Sequence, residues 1–290
     1  MRQLGRLDGR LAGVVSQNPG RIESARRFPG SGVIQLTARP FKTAQCENVF
    51  MSARNRKKPC AYCGREKKLT ADHVPPKLFL ERPLPPNLLT VPSCVDCNRS
   101  FMPDDEYTRV VLASDIRANW NYAAQSNLPA IMRSLQRPNA RGFAEYVSQQ
   151  SHLMGVLAPS GTPVTAVRFD QQRINRSGLH MLRGLYSHEI GRRLCGTSAI
   201  VQVGSRAGLT SEHSEMLTIA RVFQLFPDQR NGVAGTAFSY AAAFGDRRSV
   251  WLMLLYDYFF WIGSIDERDA EERKADGVDL VNSPSRMVFV

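Results

Sequence analysis

Hydrophobic and polar positions change rhythm several times along this chain, and the changes divide it. Residues 1–59 scatter Gly, Ser, Arg and Pro with neither a two-residue nor a 3.6-residue period, so no packed face can be drawn through them. They read as a disordered arm. From residue 60 onward short runs suit strands at 69–74 and 88–91. Pro75, Pro76, Pro83, Pro85, Pro86 and Pro92 crowd the stretch between and beside these runs, which forbids a helix there and predicts a stiff loop. A helix is expected to begin near Cys97, and the acids Asp104, Asp105 and Glu106 after Pro103 read as a helix N-terminus running on to about 122. Alternation at 162–169 predicts a strand, and helical periods at 171–194 and 211–226 predict two more helices. Runs at 238–244 and 249–261 flank Gly245-Asp246-Arg247-Arg248 and predict a β-hairpin near the end of the chain, with Trp251, Tyr256 and Trp261 packed in its core. The fold class is therefore α+β.

Composition narrows the partners. The chain has 290 residues, 43% of them hydrophobic, which excludes wholesale disorder and any collagen-like or coiled-coil architecture. A formal charge of +12 points to an anionic partner such as nucleic acid or a membrane surface. Residues 1–59 carry 12 basic and 3 acidic residues, so +9 of that charge sits on the arm and +3 on the remainder. A start at Met51 in place of Met1 would remove most of the arm, so charge alone is a poor guide to function. The longest apolar stretch, 250–262, contains Asp257 and is shorter than the roughly 20 residues of a membrane span. No apolar run near the N-terminus is long enough for a signal peptide. The expectation is a soluble cytoplasmic protein without a membrane partner.

The six cysteines stand at 46, 60, 63, 94, 97 and 195, too few for a disulfide scaffold in a chain of this length. Cys60-x-x-Cys63 and Cys94-x-x-Cys97 can each offer two thiolates to one tetrahedral Zn²⁺ at about 2.3 Å. Cys195, without partner spacing, is expected to be buried and inert. The two pairs are 30 residues apart, more than the roughly 15–20 of a plain zinc ribbon, so something further is built between them. That stretch holds Asp72-His73-Val74-Pro75, then Asn87-Leu88, and the second pair continues as Cys97-Asn98-Arg99.

In these motifs, about 48 residues in all, the sequence resembles the HNH endonucleases. The resemblance implies a small zinc-stapled ββα-metal module at 60–107, followed by a mixed α+β C-terminal domain at 108–290 whose role it does not define. It implies that His73 is the general base for water, that Asp72 and Asn98 hold one catalytic Mg²⁺ or Mn²⁺, and that Asn87 hydrogen-bonds across the loop to fix His73. Cys60, Cys63, Cys94 and Cys97 hold the structural zinc. Position 98 is Asn where the commoner pattern has His, and position 102 is Met where some members place another ligand. The implied activity is hydrolysis of phosphodiester bonds in double-stranded DNA. The alternatives are a non-catalytic zinc module that binds nucleic acid or protein, and a toxin-like nuclease that cleaves RNA. Adjacent strand residues point to opposite faces, so Asp72 and His73 can share a site only if the strand bends after them. Asp104 or Asp105 is a further possible cation ligand, although the helix-start role accounts for both. Arg173, Arg176, His180 and Arg183 line one side of the helix expected at 171–194, and this stripe reads as a solvated face in preference to a phosphate track.

Overall fold

The computed structural model describes residues 59–86, 88–115, 118–157, 163–167, 169–205 and 228–268. The arm up to residue 58, Asn87 and the helix expected at 211–226 lie outside these residues. Strand β1 (Leu69–Val74) pairs antiparallel with β2 (Leu89–Cys94), Leu69 opposite Cys94 and Val74 opposite Leu89. β2 runs through Pro92, past the expected end at 91, because a two-stranded ribbon has free edges that tolerate a missing N–H. Between the strands the proline-rich stretch contains one 3₁₀ turn, Lys77–Phe79, which buries Phe79 and Leu80.

Helix α1 (Val95–Ala113) leaves β2 directly, with Cys94 as its N-cap. One helix thus replaces the two that the sequence suggested, and Pro103 lies inside it. A proline at the first helical position and one deeper in the helix look alike in sequence. Here the ring is exposed, and burial of Tyr107, Val110, Leu112 and Ala113 offsets the lost hydrogen bond. Asp104 and Asp105 are therefore mid-helix residues, not the start of a helix. Two further helices escaped the sequence reading, α2 (Tyr122–Leu135), capped by the Asn121 side chain, and α3 (Arg141–Gln149). The strands β3 (Ser151–Leu157) and β4 (Pro163–Val167) form a hairpin. Helix α4 (Gln171–Ile190) begins at the Asp170 cap and ends earlier than expected, at Gly191, whose φ of 75° is left-handed.

The rest is a five-stranded antiparallel sheet built from β5 (Thr197–Ser205), β6 (Asp228–Ala234), β7 (Phe238–Phe244), β8 (Arg248–Leu255) and β9 (Phe259–Asp266). Its order is β5-β9-β8-β7-β6. The expected hairpin forms only part of it, and 249–261 is not one strand. The chain reverses at Tyr256 and Asp257, with φ of 56° and 57°, where aromatic residues on both sides of Asp257 hide the turn from pattern reading.

Helix α4 lies between the β1-β2-α1 unit and the sheet, and two glycines allow the approach. A Cβ on Gly184 would stand 2.6 Å from Val74 of β1, and one on Gly178 would stand 2.6 Å from the ring of Trp261 in β9. One apolar core joins Ala61 and Val74 through Tyr107 and Leu182 to Trp251 and Trp261. The boundary expected at residue 107 accordingly falls inside α1, within this core. The chain is α+β with helices and antiparallel sheets. No helix among the described residues is long and apolar enough to cross a membrane.

Gly178→Ala tests the close packing of α4. Helix propensity alone would favour alanine by up to about 1 kcal/mol, whereas overpacking against the fully buried Trp261 costs about 1–3 kcal/mol. Urea unfolding should show a net loss of about 1 kcal/mol; a gain in stability would contradict the packing.

Candidate functional site

The first cysteine pair sits on a tight knuckle. The Gly64 N–H donates to Cys60 O at 2.9 Å, and Gly64 takes a φ of 72° that suits glycine. The Ala61 N–H donates to Pro92 O at 2.7 Å, which fixes the knuckle against β2. The second pair straddles the β2–α1 junction, so Cys94 and Cys97 are presented by the start of the helix. The four sulfur atoms lie within 4.8 Å of one another, and Cys63 Sγ is 3.7 Å from Cys94 Sγ. Ligands about 2.3 Å from a tetrahedral zinc stand about 3.8 Å apart, so the cluster has the dimensions and the soft donors for such an ion.

Burial raises the Cys60 thiol, but backbone N–H groups of Cys63, Cys94 and Tyr62 outweigh it and lower the pKa to about 7. One of these, the Cys94 N–H, donates to Cys60 Sγ at 3.3 Å. Burial pushes Cys63 and Cys97 upward, so a bound cation is what would hold these two as thiolates. Cys195 is exposed and disulfide-bonded, contrary to the expectation of a buried, inert thiol without a partner.

Asp72 and His73 occupy successive positions of β1, which stays paired through Val74, so the two side chains leave opposite faces of the ribbon. His73 is half-buried and opposite Thr90. Desolvation and then the charge of Lys77 hold its pKa below the usual imidazole value, against a weaker opposing pull from Asp72. At neutral pH His73 is thus uncharged and able to accept a proton. Asn98, in the first turn of α1, donates from Nδ2 to Thr70 Oγ1 at 3.3 Å. Alternation puts Thr70 on the Asp72 face of β1, so Asn98 belongs to that face and His73 to the other. Asn87 lies outside the described residues, and Met102 is exposed.

The surroundings of Asp72 come from residues distant in sequence. This carboxylate is buried, and its Oδ2 accepts hydrogen bonds from the Tyr62 hydroxyl at 2.6 Å and from His180 Nε2 at 2.8 Å. His180 is only 3% exposed, and its Nδ1 lies 3.0 Å from Asp105 Oδ2. Ser177 donates to the other oxygen of Asp105 at 2.7 Å, and Phe101 stacks on the imidazole with centroids 4.0 Å apart. A carboxylate can only accept, so an imidazole between two of them carries protons on both nitrogens. Burial alone would lower its pKa; the hydrogen bonds and charges of Asp105 and Asp72 outweigh this and raise it to about 9.

The stripe containing His180 is therefore not a solvated face throughout: His180 is buried, Arg173 and Arg183 are half-buried, and Arg176 is exposed. Arg173 and Arg176 both pair with Asp104 of α1, at 2.9 and 2.6 Å, and Arg183 donates to Ser198 at 2.9 Å. Asp104 and Asp105 are consumed by these partners, which removes them as candidate cation ligands. The one sequence signal for this contact was the pairing of a basic stripe with two adjacent acids about seventy residues earlier. Without a fold the two could not be aligned.

Compared with protein-family models, curated proteins and solved structures, the chain matches none. What the site can do is therefore argued from its own donors. Four thiolates suit a structural metal ion such as zinc. Asp72 and Asn98 offer hard oxygens of the kind Mg²⁺ and Mn²⁺ accept, and Asp72 Oδ1 accepts no hydrogen bond among the described residues.

Two outcomes are expected. Metal analysis should find one zinc per chain, and chelation should raise hydrogen exchange first in 60–97, before the five-stranded sheet; exchange rising uniformly would contradict a local staple. For His180 the folded pKa lies above the unfolded value near 6.5, so its stabilising contribution is complete below about pH 6.5 and is lost as pH rises through about 9. Urea unfolding from pH 6 to 10 should show this decline in the wild type and not in His180→Leu. That variant should itself be about 3–5 kcal/mol less stable, because two buried carboxylates lose their partner.

Proposed function

We propose that this chain is a metal-dependent endonuclease of the HNH type that hydrolyses phosphodiester bonds in double-stranded DNA. The observation that carries the reading is a strand-strand-helix unit with a four-cysteine cluster, in which Asp72 and Asn98 share one face of β1 and a neutral His73 stands at the next position, on the opposite face. His73 takes the proton from the attacking water as the new P–O bond forms, and general-base assistance of this kind is worth roughly 10²–10⁴ in rate. The bond to the 3′ oxygen breaks, leaving 5′-phosphate and 3′-hydroxyl ends. Asp72 and Asn98 would hold the Mg²⁺ or Mn²⁺, which when bound supplies Lewis-acid stabilisation of the departing alkoxide. Asn87 would fix His73 from across the loop. Lys68, Lys77 and Arg99 are exposed on the same unit and supply positive charge toward a phosphate backbone.

Two observations favour a second reading. β1 stays paired through Val74 without the bend that would turn Asp72 and His73 to one side. Asp72 is also already explained by Tyr62 and His180 as part of an internal ion pair, so a non-catalytic zinc module that binds nucleic acid or protein would need no further use for it.

A nicking assay on supercoiled DNA with Mg²⁺ or Mn²⁺ separates the two. Wild type should cleave in a divalent-dependent manner, and His73→Ala should lose at least a hundredfold while keeping its zinc and its melting temperature. Equal cleavage by both proteins, or none by the wild type, would sink the nuclease reading. Structured RNA run in parallel shows whether DNA is the substrate.

A further inference from the structure

The contacts of Asp72 come from parts of the chain that the proposed chemistry does not otherwise use. Tyr62 lies between the knuckle cysteines Cys60 and Cys63, and its ring meets Phe101 edge-on with centroids 4.8 Å apart. His180 reaches Asp72 from α4 and is itself clamped by Asp105 on one side and by the ring of Phe101 on its face. The knuckle and α4 thus converge on a single carboxylate oxygen of β1, Oδ2, through contacts of 2.6 and 2.8 Å, and α1 holds His180 in place behind it. A carboxylate bonded twice through one oxygen cannot swing, and its other oxygen keeps a fixed direction. Asn98 is restrained similarly, because its amide nitrogen is turned to Thr70 and its oxygen is the end left over.

We propose that Tyr62 and His180 are positioning residues, which hold Asp72 by Oδ2 so that Oδ1 and the Asn98 amide oxygen bind one divalent cation. This inference rests on the nuclease reading of Asp72. The binding site then depends on both the cysteine knuckle and the C-terminal helix, and a ligand set of only two protein oxygens gains affinity because its carboxylate is ordered in advance. Removing an outer partner of a metal ligand typically weakens binding about 10–100-fold.

The test is Mn²⁺ binding to the zinc-loaded full chain, followed by the electron paramagnetic resonance of free Mn²⁺, for wild type, Asp72→Asn, Tyr62→Phe and His180→Gln. Tyr62→Phe removes one hydroxyl and keeps the ring, so it should retain its zinc and its melting transition even if His180→Gln does not fold. Wild type should bind one Mn²⁺, and Asp72→Asn should lose that site. Tyr62→Phe should bind about tenfold more weakly. Its cleavage should fall at low Mn²⁺ and recover as Mn²⁺ is raised, a split that a purely structural hydroxyl would not produce. If the wild type binds Mn²⁺ and cleaves DNA while a folded Tyr62→Phe or His180→Gln binds Mn²⁺ equally well, the positioning role of that residue is overturned and the nuclease reading stands. If the wild type neither binds Mn²⁺ nor cleaves, both fall.

Discussion

Two carboxylates, Asp72 and Asp105, share one imidazole in the interior, and neither could be buried without it. An unpaired ionised carboxylate in such surroundings is costly by several kcal/mol at least, whereas a partner that donates to both from opposite nitrogens satisfies them together. The directional nature of these bonds fixes how β1, α1 and α4 meet. Gly178 and Gly184 let α4 come close enough for the contact, and Arg173 and Arg176 on Asp104 extend the same polar seam along α1. The apolar core drives these elements together; the seam selects the arrangement in which Asp72, His180 and Asp105 satisfy one another.

The cysteine cluster acts on the same point from the other side. Its knuckle carries Tyr62, which reaches Asp72 directly, so order in the cysteine cluster and order at the carboxylate are linked through a single residue. A buried ion pair is weak support for stability as such, because a well-packed apolar set could often replace it. The present one has a second explanation in the fixed orientation it gives Asp72. The structural and the catalytic readings of this residue are compatible, since they use different oxygens.

What was legible in the sequence was local. The strand at 69–74, the start of α4 at 171 and the paired cysteines follow from period and spacing. Asp72, His73 and Asn98 stood out because their motif is short and ordered. What was not legible depends on distance along the chain. His180 lies 108 residues from Asp72 and 75 from Asp105, so its stripe of basic neighbours looked like a solvated face until α1 was laid against it. Pro103 concealed the continuity of α1, and the aromatic run through Tyr256 concealed a turn that needs two left-handed residues. In each case tertiary packing overrode a sound local preference.

The shared imidazolium can be observed directly. With only five histidines in the chain, the ¹⁵N shifts of the His180 ring can be assigned by comparison with a His180 variant and followed against pH in the zinc-loaded protein. Both nitrogens are expected to remain protonated at pH 7 and to titrate near 9. A His180 ring that is neutral at pH 7, with one nitrogen unprotonated, would contradict the buried carboxylate–imidazolium–carboxylate bridge and the arrangement built on it.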